Sequence, residues 1–366
     1  MLRRVVLPII LCWLAIALPG TLSAAAPAQP PSSPPRIVAI GDLHGDHDAW
    51  MAIARGAGIV DATGHWAGGN SILVQLGDVV DRGGDSRAIL RDLIRLEKEA
   101  SHRGGRVVAL IGNHEAMNMT GDLRYVDPGE YAAFVDKGSE RRRREYYEAN
   151  RQTIEAAAKA RNASESPAAI RDAWLKQVPL GAIEHAAAWR PSGEIGRWIL
   201  SHNAVARIGG SLFVHGGISA TYATQTIDQI NQQVTAALKA QEQSPTSIIN
   251  DEQGPLWYRG LVTRAPSGDA PSGAASPAAA SPAVARPTID QEVDLVLRAY
   301  DVKRIVVAHT PSLKGIIGGV GGRLWRIDSG NARYYGGPPS YLEIVGDRVT
   351  ARQVPRPPPS TKGENR

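Results

Sequence analysis

The chain has 366 residues, of which 43% are hydrophobic and 21% are charged, proportions that are ordinary for a globular protein with one large or two small domains. Its formal net charge at pH 7 is only +5. A charge this small suits attraction to small anions but does not favour nucleic acid as a partner, so we expect no nucleic-acid binding.

The first part of the chain has the pattern of a secretory signal peptide. Arg3 and Arg4 precede an apolar run at residues 5–18, and small residues follow at 23–26. The run is shorter than the ~20 residues that a membrane-spanning helix needs, so a permanent anchor is the less favoured alternative. We therefore expect residues 1–26 to be removed. The mature protein is then exported without a membrane segment, either to a periplasm or out of the cell.

The only cysteine of the chain, Cys12, lies inside this signal peptide. Once the signal is removed, the mature chain has no thiol. This excludes a disulfide framework, a thiolate metal site and a cysteine nucleophile.

After the signal peptide, a proline-rich linker at residues 27–35 leads into a regular alternation of strands and helices. The predicted elements are a strand at 36–40, a helix at 48–57, a strand at 71–76, a helix at 86–102 and a strand at 107–111. This βαβαβ order implies parallel pairing and an α/β architecture.

The remainder of the chain changes character several times. Residues 119–200 are rich in alanine, glutamate and arginine, and we predict a helical insertion there. Residues 265–287 are almost all alanine, proline, serine and glycine, which predicts a flexible loop. Further strands are predicted at 212–214, 304–308, 323–327 and 341–345. The folded domain should therefore span residues 36–350, with a disordered tail at 351–366.

Three of the predicted strands end in a short polar motif. The motifs are GDLHG at residues 41–45, GDVVDRG at 77–83 and GNHE at 112–115. Ligands of an open α/β sheet bind outside the carboxyl ends of its strands, so the three motifs should meet at one edge.

The residue types in these motifs favour a metal site. Asp42 and Asp78 would repel each other if they were buried together without a cation between them. Two later strands each end in a histidine, His215 and His309, which supplies imidazole nitrogens to the same edge. Imidazole, carboxylate and amide ligands suit Mn, Fe or Zn. The number of such groups exceeds what one ion with open positions needs, so we expect two metal ions.

The motifs GDLHG, GDVVDRG, GNHE, HGG and AHT, in this order from residue 41 to residue 310, resemble the signature of the PPP family of metal-dependent protein phosphatases. The chain is thus identified as a calcineurin-like metallophosphoesterase. The segments WYRG and YYGG resemble the bacterial Shewanella-like branch of that family. The resemblance implies an α/β fold built as a β-sandwich flanked by helices in four αββα layers, with the helical insertion added.

The resemblance also implies a ligand for each position of a dinuclear site. Asp42 and His44 would bind the first metal, Asp78 would bridge the two ions, and three residues would complete the second site. These three residues are Asn113, His215 and His309. Many related metallophosphoesterases carry a further histidine two residues after the last of these, where this chain has Pro311.

The same resemblance assigns the catalytic and phosphate-binding groups. His114 would act as the general acid, oriented by Asp81, and Arg82 and Arg259 would clamp the phosphate together with Asn113. In the implied mechanism a hydroxide that bridges the two metals attacks phosphorus in line, and His114 protonates the leaving group.

Four other residues near these motifs receive predictions. We expect Glu115 to support a metal ligand through hydrogen bonds, and Asp328, at the end of a strand, to do the same. Tyr334 and Tyr335 could approach the metals, but a tyrosine in a turn before Gly336 and Gly337 is as often plain packing, so both alternatives stay open. The basic run at 141–144 is expected to be a solvated helix face.

Three functions remain open from the sequence. The first is a phosphomonoesterase that acts on phosphotyrosine or phosphoserine/threonine in proteins, or on small phosphoesters. The second is an exported nucleotide phosphohydrolase or phosphodiesterase, because related hydrolases carry similar motifs. The third is a metal-stabilised binding module, which is disfavoured because none of the expected ligands is missing. Nothing in the sequence specifies an oligomeric state.

Overall fold

The structure is a computed structural model that describes residues 34–264 and 287–359. The predicted signal peptide lies outside these ranges, as do most of the linker, nearly all of the loop at 265–287 and the last residues of the tail. The strands are β1 (Ile37–Ile40), β2 (Ile72–Gln75), β3 (Arg106–Ala109), β4 (Val205–Ile208), β5 (Ser211–Val214), β6 (Arg304–Val307), β7 (Ile317–Gly319), β8 (Leu324–Arg326), β9 (Ser340–Val345) and β10 (Arg348–Gln353).

Eleven α-helices are present in the described ranges. They are α1 (His47–Gly56), α2 (Ser86–His102), α3 (Asn113–Thr120), α4 (Pro128–Ala132), α5 (Ser139–Arg161), α6 (Pro167–Gln177), α7 (Ala182–Trp189), α8 (Glu194–Ile199), α9 (Ile227–Ala240), α10 (Gly260–Thr263) and α11 (Ile289–Tyr300). Within these ranges, no helix combines the length and the apolar character needed to cross a membrane.

The strands form two mixed sheets of five strands each. The first sheet has the order β10-β9-β1-β2-β3, and the second has the order β4-β5-β6-β8-β7. Strands β1, β2 and β3 pair in parallel, as the predicted βαβαβ order requires. In the second sheet β5, β6 and β8 are parallel. The five motifs follow the carboxyl ends of β1, β2, β3, β5 and β6.

The two sheets pack face to face as a sandwich. Ile37 and Ala39 of β1 point into a small core shared by both sheets, whereas Val38 and Ile40 point into the larger core beneath the helices. In β5, Phe213 faces the other sheet while its neighbours face the helices. This alternation with period two is what buries both faces of a strand in a layered fold. The predicted α/β sandwich flanked by helices is therefore confirmed.

The outer layers are amphipathic helices. α2 forms at the predicted residues and buries Ile89, Leu90, Leu93 and Leu96 against the first sheet. On the second sheet, α11 and α9 pack against β6 and β4 respectively. Neither of these two helices was assigned from the sequence.

The predicted insertion at 119–200 is helical, since it contains α4 to α8. The basic run at 141–144 lies on α5, where Arg141 and Arg144 pair with glutamates one turn away on the exposed surface. The predicted solvated face is therefore correct for these two residues only. Arg142 donates to Glu184 on α7, and Arg143 donates to the carbonyl of Val178 just after α6.

The carboxyl end of the chain departs from the prediction. Residues 351–353, assigned to a disordered tail, belong to β10, which pairs with β9 along its whole length. Val354 then donates a backbone hydrogen bond of 2.9 Å to Pro339. The domain boundary predicted at residue 350 is therefore too early, because backbone hydrogen bonds hold a strand whose side chains are mostly exposed.

Candidate metal centre and active site

The predicted site residues meet at one edge of the sandwich, at the carboxyl ends of β1, β2, β3, β5 and β6. The backbone amides of Leu43 and His44 donate to the carbonyl of Asp78, at 2.9 and 3.0 Å, which ties the first two motifs together. All six predicted metal ligands are buried: Asp42, His44, Asp78, Asn113, His215 and His309. The parallel strands thus bring together residues that are up to 267 positions apart in the chain.

One group of potential ligands surrounds His44. Its Nε2 atom lies 3.7 Å from a carboxylate oxygen of Asp42 and 3.8 Å from one of Asp78. Its Nδ1 atom lies 2.9 Å from the carbonyl oxygen of Val80. A carbonyl can only accept, so we assign the proton to Nδ1, which leaves the lone pair of Nε2 directed at the two carboxylates.

A second group surrounds His215. Its Nε2 atom lies 3.0 Å from Oδ1 of Asn113, 3.3 Å from Oδ2 of Asp78 and 3.2 Å from Nδ1 of His309. Its Nδ1 atom bonds to the carbonyl of Leu76 at 2.7 Å, so the same tautomer applies. Several electron-pair donors therefore face one point, an arrangement that a cation satisfies and that hydrogen bonds alone do not.

Asp78 belongs to both groups of potential ligands. Its carboxylate forms one such group with His44 and His114, and another with His215 and His309. Its other oxygen accepts from the backbone amide of His114 at 3.0 Å. This central position is the one that a bridging ligand between two ions requires.

Burial shifts the pKa values of four groups of the site towards their neutral forms. Asp78 differs, because the charges of His215 and His114 outweigh burial and hold its pKa well below the usual value. Burial, followed by the charges of Asp328 and Asp78, raises the pKa of Asp42 well above its usual value. Burial also raises the pKa of Asp328 to about 6. Burial is likewise the main cause that lowers the pKa of His44 to about 4 and that of His309 to about 2. Crowded carboxylates beside neutral imidazoles lack positive charge, which a divalent cation supplies.

The predicted acid and its partner form a hydrogen-bonded dyad. Nδ1 of His114 lies 2.5 Å from Oδ2 of Asp81, and the other oxygen of Asp81 accepts from the side chain of Asn118 at 2.9 Å. Burial by itself lowers the pKa of His114, but the charge of Asp78 and the hydrogen bond that His114 donates to Asp81 outweigh it and raise the pKa. A pKa shifted in this direction suits a proton donor.

Glu115 supports the second motif from behind, as predicted. Its carboxylate accepts from the backbone amides of Asp78, Val79 and Gly112, each at 2.8 Å. These bonds fix the turn after β2 that carries Asp78. Asp328, the other predicted supporting residue, is buried and interacts with Asp42.

The two predicted arginines lie at different parts of the rim. Arg259 donates from one guanidinium nitrogen to the carbonyl of His309 at 3.0 Å and to the hydroxyl of Thr310 at 2.9 Å. Arg82 lies 3.8 Å from the ring centre of Tyr125 and donates to the hydroxyl of Tyr334 at 3.1 Å. Both guanidinium groups are thus held by contacts that leave further N–H groups for a ligand.

The tyrosines at the rim decide between two open alternatives and add a residue that the sequence did not reveal. Tyr335 packs 5.3 Å from the ring of His44, and Tyr334 contacts Arg82, so neither is plain turn packing. Tyr125 was missed because nothing in its sequence context distinguishes it from the other aromatic residues of the insertion. Asn118 was also missed, although its position one turn after His114 on α3 is a usable signal.

Backbone strain is concentrated at this edge. Five non-glycine residues of the motifs have φ in the left-handed region, namely His44, Asp78, Asp81, Arg82 and His309. Such conformations persist only where surrounding structure enforces them, and they cluster at functional sites. The strain turns the side chains away from their strands and towards the common edge.

A search with family models finds the calcineurin-like phosphoesterase family over residues 35–313. This match covers most of the chain and contains the five motifs from GDLHG to AHT. The chain belongs to the calcineurin-like phosphoesterase family. The family prediction made from the motifs is therefore confirmed, and members of this family use divalent metals.

Two curated relatives extend this result. An uncharacterised protein of Schizosaccharomyces pombe is 32% identical over 321 residues, covering 85% of this chain and 77% of that protein. Shewanella-like protein phosphatase 2 of Arabidopsis thaliana is 35% identical over 207 residues, covering 55% of this chain and 51% of that protein. The match thus spans about half the length of the second relative. The name of this relative supports the predicted likeness to the Shewanella-like phosphatases.

A solved structure confirms the fold. The cold-active protein-tyrosine phosphatase of a psychrophilic Shewanella species matches with a TM-score of 0.60 and 24% identity, covering 88% of this chain and 81% of that chain. At this identity the comparison concerns the architecture alone, which agrees with the two packed sheets and their flanking helices.

Proposed function

We propose that this protein is a metal-dependent phosphomonoesterase, and that it acts as a protein phosphatase on phosphotyrosine or on phosphoserine and phosphothreonine. The observation that carries the proposal is the Asp81–His114 dyad, buried beside the carboxylate of Asp78 and the histidines around it. A proton donor next to a cluster of metal-type ligands is what phosphoester hydrolysis requires.

The residues present fit two divalent metal ions. Nε2 of His309 is buried without a hydrogen-bond partner in the described part of the chain. Burial raises the pKa values of Asp42 and Asp328, which stand close together. Asp42, His44 and Asp78 would hold one ion. Asp78 would also hold the second ion. Its other ligands would be three residues of later motifs: Asn113, His215 and His309. Their donor atoms suit Mn, Fe or Zn.

Metal ions bound there supply Lewis acidity, which lowers the pKa of water and offsets the charge that grows on the phosphoryl oxygens. The chain itself supplies the proton for the leaving group. Asp81 holds Nδ1 of His114, which leaves Nε2 of His114 to face the site, 3.8 Å from Asp78. In phosphoester hydrolysis the bond from phosphorus to the leaving oxygen breaks, and a proton from Nε2 yields the neutral alcohol or phenol.

Arg82 and Arg259 provide the charge that orients the substrate. A guanidinium group forks onto two phosphate oxygens in a fixed geometry, which an ammonium group does not. Arg82 rests on Tyr125 and is tied to Tyr334, and Arg259 is tied to the loop after β6. Both are held in place before a phosphate arrives, so less side-chain entropy is lost on binding. Asn113 has an amide that can also donate to a phosphate oxygen.

The proposed substrate class draws on the names of relatives. One relative is called a Shewanella-like protein phosphatase, and one solved structure is called a protein-tyrosine phosphatase. The exposed ring of Tyr334 contacts Arg82 and offers an apolar surface beside the proposed phosphate position. Such a surface suits a substrate in which the phosphate is attached to an amino-acid side chain.

The decisive experiment measures release of phosphate from phosphotyrosine peptides, phosphoserine peptides and nucleotides, before and after chelation and with Mn²⁺ restored. We expect metal-dependent release from at least one peptide, and the ratio of the two rates gives the preference between tyrosine and serine. Cleavage of nucleotides alone would replace this proposal with the nucleotide hydrolase. Binding of metal without release from any substrate would favour the binding module.

A further inference from the structure

The turn that carries Asp81 and Arg82 is strained at both residues. Their φ angles are 70° and 68°, so two consecutive residues have the left-handed backbone conformation that L-residues disfavour. The turn presents the partner of His114 and one phosphate-binding arginine. A feature outside the turn must therefore hold it in this conformation.

Both backbone amides of this turn are held from the segment that opens the helical insertion. The amide of Asp81 donates to Oε1 of Glu130 at 2.8 Å, and the amide of Arg82 donates to the carbonyl of Tyr125 at 3.0 Å. The backbones of Gly84 and Gly129 also lie so close that a side chain at Gly84 would contact Gly129. Two hydrogen bonds and one close backbone contact therefore connect the insertion to this turn.

Glu130 makes the most specific of these contacts. It lies on α4 and is only 2% exposed, and its Oε1 accepts from the hydroxyl of Ser86 as well as from Asp81. Burial is the main cause that raises its pKa. A carboxyl group buried this deeply is retained against a large desolvation cost, which indicates a positional role rather than a contribution to solubility.

The second oxygen of Glu130 faces His185 on α7. Nε2 of His185 lies 3.8 Å from Oε2 of Glu130, and the imidazole is fully buried among the rings of Tyr131, Phe134 and Trp189. Neither ring nitrogen of His185 has a hydrogen-bond partner within the ranges that the structure describes. In these apolar surroundings Glu130 is the charged group that the imidazole faces, so a small approach would satisfy both residues.

We propose that Glu130 is a positioning residue for the Asp81–His114 dyad, and that His185 holds Glu130 in place. The inference rests on the proposed phosphatase function. The helical insertion thereby takes part in proton transfer without touching the substrate: it fixes the turn of Asp81, Asp81 fixes Nδ1 of His114, and Nε2 of His114 points at the leaving group. An error in this geometry weakens proton donation more than it weakens metal or phosphate binding.

The distinguishing property is the dependence on the leaving group. Hydrolysis of phenyl phosphate releases phenoxide, a poor leaving group that needs a proton from His114. Dinitrophenyl phosphate releases dinitrophenoxide, which leaves readily without that proton. With Glu130→Ala we expect kcat for phenyl phosphate to fall about 10–100-fold, part of the full contribution of a general acid, and kcat for dinitrophenyl phosphate to fall less than about 3-fold. Glu130→Gln keeps an oxygen that accepts from Asp81, so it should recover kcat to within about 3-fold of the wild type.

His185 and a matched control complete the test. His185→Phe preserves the aromatic packing but removes the nitrogens, and it should reproduce a weaker form of the leaving-group dependence. In the Glu130→Ala background the same change should have little further effect, because the two residues act through one another. Arg142→Ala breaks ion pairs to Glu184 and Asp136 in the same insertion and should change neither substrate's kcat.

Equal losses on the two aryl phosphates in Glu130→Ala, or no recovery in Glu130→Gln, would overturn the role of Glu130. A His185→Phe variant without leaving-group dependence would remove His185 from it. If Glu130→Ala does not fold, Glu130→Gln and His185→Phe carry the test. Failure of the phosphatase function itself has a separate signature, since the metal-loaded wild type would then hydrolyse neither aryl phosphate.

Discussion

The backbone amide of His309, at the end of β6, donates a hydrogen bond of 3.2 Å to the carboxylate of Asp42, at the end of β1. The two strands belong to different sheets. His215 makes a second link of this kind, because its Nδ1 atom bonds to the carbonyl of Leu76 after β2. The proposed metal ligands therefore also join the two halves of the sandwich at its functional edge.

From this link we predict that metal binding stabilises the fold. Any ion that binds only the folded chain stabilises it by mass action, by about 2.7 kcal/mol at 100 times its Kd. The melting temperature should therefore fall after exhaustive chelation and recover with Mn²⁺, as measured by scanning calorimetry. A melting temperature that is the same with and without metal would contradict this expectation.

Asp78→Asn should lower metal occupancy. The change removes the negative charge shared by both groups of ligands while it preserves the shape of the side chain. Metal per chain, measured by elemental analysis after gel filtration, should fall below that of the wild type. Asp92→Asn, at a carboxylate that binds His47 and Trp50 on α1, serves as the control and should leave the metal content unchanged. Full retention of both ions in Asp78→Asn would rule out the bridging role.

His114→Asn should keep its metal but lose turnover. General acid catalysis contributes about 10²–10⁴-fold, and the loss should appear with phosphoserine, whose alkoxide is a poor leaving group. Phosphotyrosine should be affected less because phenoxide leaves more readily. Steady-state kinetics on the two peptides, with metal content measured in parallel, test this prediction. An unchanged rate on phosphoserine would exclude His114 as the acid.

Arg82→Lys should weaken phosphate recognition although the charge is kept. The lysine lacks the planar fork that contacts two phosphate oxygens, and loss of a hydrogen bond to a charged group is worth about 1.5–3 kcal/mol. We therefore expect kcat/KM to fall about 10–100-fold. Arg124→Lys is the control, because Arg124 is exposed and pairs with Asp122. If both substitutions had equal effects, a specific contact by Arg82 would be disproved.

Asn231→Ala should destabilise the second sheet. The buried side chain of Asn231, on α9, accepts from the amides of Ala204 and Val205 and donates to the carbonyl of Val205. Leaving these backbone groups unpaired should lower the free energy of unfolding by about 1–3 kcal/mol, as measured with urea. Asn150→Ala removes only a hydrogen bond to the carbonyl of Tyr146 at the surface, so it should change the free energy of unfolding by less than about 0.5 kcal/mol.

The sequence by itself determined the chemistry of the site. Each of GDLHG, GDVVDRG and GNHE follows an apolar strand, and parallel strands deliver their carboxyl ends to one edge, so the convergence of Asp42, Asp78 and His114 followed from local pattern. The family resemblance and the α/β sandwich followed from the order of the same motifs. Local signals were sufficient because these residues lie within a few positions of the strands that place them.

Only the tertiary structure decided the contacts made across the chain. The strand β10 was taken for a tail because its exposed side chains carry little hydrophobic pattern, while the backbone hydrogen bonds to β9 that define it leave no trace in composition. The contacts of Tyr125 with Arg82, of Glu130 with the turn at Asp81, and of His185 with Glu130 depend on how the insertion folds back over the first sheet. Local periodicity specifies which face of a helix is buried, but it does not specify against which partner.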